Sequence, residues 1–183
     1  MDTAVGGARP GPADLEAAKD STLPDVIAPH LDVLFCGINP GLYSAATGWH
    51  FARPGNRFWP VLHLAGFTPR LLHPSEQGLL PSYGLGITNL APRATARAAE
   101  LSAAELRAGA DRLRWLVARW RPRLLAVVGV SAYRIGFAAP NAGFGPQSPS
   151  PVNTRTWVLP NPSGLNAHWT LERLVTAYAE IRD

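Results

Sequence analysis

Two short loops constrain this chain more than any other feature: Gly37-Ile38-Asn39-Pro40-Gly41 and Asn161-Pro162-Ser163-Gly164-Leu165-Asn166. Each follows an apolar run that reads as a buried strand, Val33–Cys36 before the first and Trp157–Leu159 before the second. Gly and Pro at a strand exit turn the backbone and leave N–H groups and one small polar side chain above the carboxyl edge of the sheet. In open α/β sheets that edge is where ligands bind. Two such loops, one near each end of the domain, predict the two walls of one site.

Between them the pattern alternates. A strand is expected at 32–38, a helix at 56–65, a short helix at 74–80 and a short strand at 86–90. Ser102-Ala103-Ala104-Glu105 is a capping box that opens a long helix to about Trp120. Leu124–Val128 is the most continuously apolar run and predicts a central parallel strand. A short helix at 131–137, a loop at 138–151, a strand at 156–159 and a last helix at 170–181 complete the series. Strand–helix repetition of this kind implies an α/β fold of three layers, α/β/α, around a short, mostly parallel sheet. Residues 1–25 carry no apolar periodicity and are expected as a flexible tail, with a single domain over 26–183.

The chain is 183 residues long, enough for one ordinary core. No apolar stretch approaches the roughly 18 to 20 residues of a membrane span, and no secretory signal is visible, so no membrane role and a cytoplasmic location are expected. The single cysteine, Cys36, excludes an internal disulfide and any site built from several thiolates, and its mid-strand place predicts a core residue. The net charge of +4 rests on 17 basic residues, of which only Lys19 is a lysine. An arginine excess of this kind favours a polyanionic partner.

Missing motifs narrow the chemistry. There is no phosphate-binding Gly-x-x-x-x-Gly-Lys loop, no Gly-x-Gly-x-x-Gly fingerprint after the first strand and no Gly-x-Ser-x-Gly elbow. Neither loop contains an acid, and none occurs between Glu76 and Glu100. A carboxylate metal site and a paired-carboxylate hydrolase are therefore not expected, and neither metal nor cofactor is required. Asn39 remains as the polar group best placed for chemistry. Its carboxamide oxygen can orient a water; alternatively the side chain caps the strand end or closes an Asx-turn with Gly41.

Several blocks then resemble one family. Gly37–Leu42, Thr47-Gly48-Trp49-His50-Phe51-Ala52, Asn56-Arg57-Phe58-Trp59 and Leu159–Leu165 look like the mismatch-specific uracil-DNA glycosylases, bacterial relatives of thymine-DNA glycosylase. The resemblance runs in order from about Ile27 to Ile181. It implies a uracil-DNA glycosylase-like fold and an enzyme, monomeric and active at the bacterial nucleoid, that flips uracil out of double-stranded DNA containing G:U mismatches and hydrolyses its N-glycosidic bond. Ethenocytosine and related pyrimidine lesions are further substrates of that class.

By the same resemblance Asn39 positions the attacking water, and backbone amides around Ile38, Gly41 and Leu42 bind the base. Phe51 stacks on the flipped base and Ser44 meets its C5 edge. The second loop, opening at Asn161, enters the duplex: Leu165 is the wedge, Gly164 and Asn166 face the widowed guanine, and Ser163 meets a phosphate. Asn89 stands where such proteins often carry a basic residue. His50 is expected either in the pocket or on a surface loop, and His168 near phosphate; His30, His63 and His73 are expected to be structural. Arg93, Arg97 and Arg155 are expected in loops within reach of phosphate. With Lys19 far from both loops in sequence, no Schiff base is expected. A glycosylase that also accepts uracil opposite adenine or in single strands, and a non-catalytic nucleic-acid-binding domain, are the competing expectations.

Overall fold

In the computed structural model, which describes residues 8–182, five strands form one sheet. They are β1 (Val33–Gly37), β2 (Leu85–Asn89), β3 (Leu124–Val128), β4 (Gly145–Gln147) and β5 (Arg155–Leu159), in the order β2-β1-β3-β5-β4. β1, β2, β3 and β5 run parallel, and β4 pairs antiparallel with β5 at the edge. Every residue of β1, β2 and β3 is buried, which is why β1 and β3 read as unbroken apolar runs and not as an alternation, whereas β2 buries Thr88 and Asn89 as well. β4 falls inside the expected loop 138–151; three residues that include Pro146 carry no strand signal, and proline is tolerated at a sheet edge.

Among the described residues six α-helices accompany the sheet: α1 (Pro12–Ala17), α2 (Leu42–Thr47), α3 (Phe58–Leu64), α4 (Ala103–Trp120), α5 (Val130–Gly136) and α6 (Leu171–Ala179). On one face, α4 and α5 cover Leu34, Cys36, Leu125 and Val127. On the other, α3, α6 and a 3-10 segment (Pro74–Tyr83) cover Val33, Phe35, Leu124 and Ala126. The fold is the expected three-layer α/β/α sandwich. Cys36 is fully buried in the first of these cores, and burial pushes its thiol pKa up. The capping box forms as read: Ser102 Oγ accepts from Glu105 N at 3.1 Å, and Glu105 Oε2 accepts from Ser102 N at 2.8 Å.

The expected tail is corrected over 8–25. α1 lies there, Ala18 and Leu23 are buried, and the backbone pairs with the segment after β2 through Asp20 N to Ala94 O and Ala94 N to Ser21 O. Isolated apolar residues anchored by backbone pairing leave no periodicity to read. Residues 1–7 of the expected tail lie outside the described residues. α2 is a second addition, since Pro40–Gly55 reads as a Gly/Pro-rich stretch; it ends at Gly48, where φ of 78° suits glycine.

Candidate active site

The parallel order brings four strand exits to one edge, where the segments after β1, β2 and β5, with Val128 at the end of β3, line a cavity of about 290 Å³. The first loop supplies Ile38, Asn39 and Gly41, and α2 supplies Ser44. Phe51 closes one side, while Asn161, Ser163 and Leu165 close the other. The two loops singled out in the sequence therefore share one site. Gly164 and Asn166 belong to the same loop without lining the cavity.

A third wall comes from the exit of β2, the segment from Asn89 to Ala98. β2 lies beside β1 in parallel register, with Gly37 opposite Asn89, so its exit must stand next to the first loop. Leu90 N and Ala91 N donate to Gly37 O and Ile38 O at 2.8 and 2.9 Å, locking the two exits together. Gly37 allows this approach: a Cβ there would lie 2.6 Å from Asn89 Oδ1 and 3.3 Å from the Phe51 ring.

This wall fixes Asn39. Its Nδ2 donates to Arg93 O at 2.9 Å and to Thr95 Oγ1 at 2.7 Å. A carbonyl only accepts, so the amide nitrogen must face Arg93. Thr95 Oγ1 gives its own proton to Arg97 O at 2.8 Å and therefore accepts from Asn39. Both amide protons are used. Oδ1 accepts no bond from the described residues, and no buried side-chain oxygen goes unpaired, so Oδ1 is open to the cavity. Among the described residues no carboxylate lines this space, whereas Arg53 and Arg97 do.

Phe51 is held from behind. Its ring stacks on Phe58 at 4.1 Å with the planes 21° apart. Its backbone has φ of 51°, an unusual value for a bulky residue, and the turn is retained partly because Ser44 Oγ accepts from Ala52 N at 3.1 Å. Ser44 thus supports the aromatic wall as well as lining the cavity.

His50 lines the same cavity and is only 2 % exposed, which settles its place against a surface loop. Nε2 donates to Pro24 O at 2.8 Å, leaving Nδ1 to accept from Asn89 Nδ2 at 3.4 Å. Burial lowers its pKa from the ordinary 6.5, outweighing the opposing pull of the Pro24 carbonyl and Asp25. The folded imidazole is therefore neutral while the unfolded chain takes up a proton below about pH 6.5, so stability declines as pH falls through that region. The melting midpoint of wild type is expected to fall further between about pH 7 and 5 than that of His50→Gln. Equal falls would contradict this.

The second loop is shaped from within. Asn161 Oδ1 accepts from Ser163 N at 2.9 Å, Ser163 Oγ accepts from Leu165 N at 3.2 Å, and Asn166 Nδ2 donates to Asn161 O at 3.0 Å. Leu165 stands at the tip, 75 % exposed. His168 is exposed on the same loop.

Two arginine expectations are corrected. Arg93 is bound to Asp20 and Glu105, each at 2.7 Å, and clamps the third wall internally. Arg155 opens strand β5 and lies at the opposite edge of the sheet beside Arg123 and Arg182. Arg97 does stand exposed at the cavity. Among the described residues no group of three or more His, Cys, Asp or Glu side chains comes together as a metal site.

Residues 24–182 match the family model described as the uracil DNA glycosylase superfamily. The fold is also similar to the solution NMR structure of a Methanosarcina acetivorans protein provisionally described as a uracil DNA glycosylase. The TM-score is 0.60 at 17 % identity, over 90 % of this chain and 99 % of that one.

Proposed function

This chain belongs to the uracil DNA glycosylase superfamily, and we propose that it hydrolyses the N-glycosidic bond of uracil mispaired with guanine in double-stranded DNA, releasing the base and leaving an abasic site. One observation carries the reading: Asn39 is locked with its Oδ1 toward a cavity that has no carboxylate. A carboxamide is too weak a base to deprotonate water, but it can hold one in line with the sugar. That suffices when the leaving group departs largely unaided, as an oxocarbenium-like sugar and a uracil anion. Water then adds at C1′, and its proton goes to solvent or to the departed base.

The remaining residues fit roles around that step. Phe51, backed by Phe58, offers a ring face for a flipped base. Backbone amides of Ile38, Asn39, Gly41 and Leu42 supply donors for the developing anion, as preorganised dipoles do elsewhere. Neutral His50 and Asn89 add polar edges without a competing charge. Leu165, an apolar side chain held in solvent, suits a wedge that fills the vacated stack. Ser44, Asn161, Ser163, Gly164 and Asn166 shape the walls around base and duplex.

A broader specificity is favoured by one feature. Asn166 gives one of its two Nδ2 protons to Asn161 O within its own loop, which leaves a single side-chain donor for the opposing base, and uracil opposite adenine is a second candidate substrate.

Chromatographic detection of free uracil after incubation with a U:G duplex tests the activity; no released base contradicts it. The only lysine, Lys19, sits in the exposed turn after α1. A Schiff-base mechanism needs a reactive amine, so borohydride is expected to trap no covalent enzyme–DNA adduct, and the abasic strand should break only on alkali treatment. A trapped adduct would overturn the monofunctional reading.

A further inference from the structure

Arg57 spends its guanidinium on a loop remote from it in sequence. Nε donates to Pro162 O at 3.3 Å, Nη2 to Ser163 O at 2.6 Å and Asn166 O at 3.1 Å, and Nη1 to the carbonyl of Trp169. Its backbone N–H also donates to Pro162 O, at 3.0 Å. Among the described residues no carboxylate pairs with it.

Helix chemistry does not account for an arginine here. Arg57 is the N-cap of α3, where the dipole disfavours a cation and a small polar residue is preferred. Asn56 takes over the capping task, its Oδ1 accepting from Phe58 N at 2.9 Å. The cation instead ties together four carbonyls of an irregular loop, of which Ser163 O and Asn166 O otherwise accept only from the loop's own Asn166 and Trp169 N–H groups. All four flank or lie within the span that carries Leu165 at its tip.

The same turn touches the other wall. A Cβ on Gly164 would lie 2.6 Å from Gly55 O, so the second loop packs directly on the turn that carries Arg57. The next residue, Phe58, is the ring behind Phe51. Residues 55–58 thus join the wedge to the aromatic wall of the cavity.

We propose that Arg57 is a positioning residue that holds the 162–169 loop in the shape presenting Leu165, and so fixes the wedge relative to the base pocket before DNA arrives. This rests on the reading of the site as one that excises a flipped base. A loop ordered in advance spares the cost of ordering it on binding. The planar fork matters as much as the charge, because a lysine ammonium cannot reach four carbonyls spread along the loop.

The test is a double-mutant cycle between Arg57 and Leu165, read as single-turnover uracil release from a U:G duplex and as base flipping by 2-aminopurine fluorescence. R57K is expected to slow release by about tenfold or more, with a similar loss for L165A; in the L165A background R57K should cost less than about twofold further. R57Q, which drops the charge and keeps two donors, should show the same dependence on Leu165. Amide exchange in residues 163–169 is expected to be at least about tenfold faster in R57K without DNA present, which reads the loop independently of any activity. The proposal is overturned if R57K restores wild-type release and exchange, since charge alone would then suffice, or if the two losses multiply. A wild-type chain that releases no uracil would remove the functional reading itself; an active wild type matched by R57K removes only the role of Arg57.

Discussion

Asn39→Ala is expected to slow uracil release by about 10³-fold while leaving affinity for a U:G duplex within about twofold. The size follows from what is lost: the acceptor that two amide bonds fix toward the cavity, where among the described residues no carboxylate stands to replace it. Binding should survive because the contacts assigned to the duplex lie on the second loop and at Leu165, on the opposite wall. Removing the amide also leaves Arg93 O and Thr95 Oγ1 without their donor. Those groups lie in a part-buried region that water can reach, so the expected loss of stability is small. A large loss of duplex affinity, or of melting temperature, would instead mark Asn39 as a structural brace of the third wall.

Gly109→Ala is expected to destabilise the fold by about 3 kcal/mol, lowering the melting midpoint by roughly 6 to 12 °C. In an exposed helix this substitution stabilises, because alanine restricts the unfolded chain and favours helix. Here the sign reverses. A Cβ on Gly109, in the middle of α4, would lie 2.1 Å from the carbonyl oxygen of Leu90 and 2.7 Å from its carbon. Both are backbone atoms that cannot rotate away, so α4 must move off the sheet or the exit of β2 must shift. The second response reaches the site: Leu90 N is bonded to Gly37 O, and the same segment carries Arg93 and Thr95, which fix Asn39. A fall in uracil release beyond what unfolding accounts for should therefore accompany the lower midpoint. A midpoint equal to or above that of wild type would show that α4 does not pack on Leu90 this closely.

The parts of this molecule that could be read in advance are those whose cause is local. β1 and β3 announce themselves because strands buried on both faces need unbroken apolar runs, and α4 because Ser102 and Glu105 satisfy each other's backbone donors. Asn39 stood out because a loop without acids left it as the one polar side chain above a strand. What escaped depends on distant partners. His50 gains its place from Pro24 and Asn89, 26 and 39 residues away, and nothing in Trp49-His50-Phe51 distinguishes a buried imidazole from an exposed one. The third wall needed the strand order, because only the pairing of β2 with β1 puts Thr95 beside Asn39. Arg93 and Arg155 show the same limit, one drawn inward by Asp20 and Glu105 and the other carried to the wrong edge by the direction of β5. Arg57 could be read as part of a motif, yet its partners at 162–169 lie more than a hundred residues on.

Excision is read out by incubating the protein with three oligonucleotides, carrying uracil opposite guanine, uracil opposite adenine or uracil in a single strand, and breaking abasic sites with alkali. Strand breakage at the uracil is expected in the U:G duplex, faster there than in the other two, and absent throughout with Asn39→Ala over the same time. No breakage on any of the three would contradict the catalytic reading and leave a binding domain; equal breakage on all three would contradict selectivity for the mismatch.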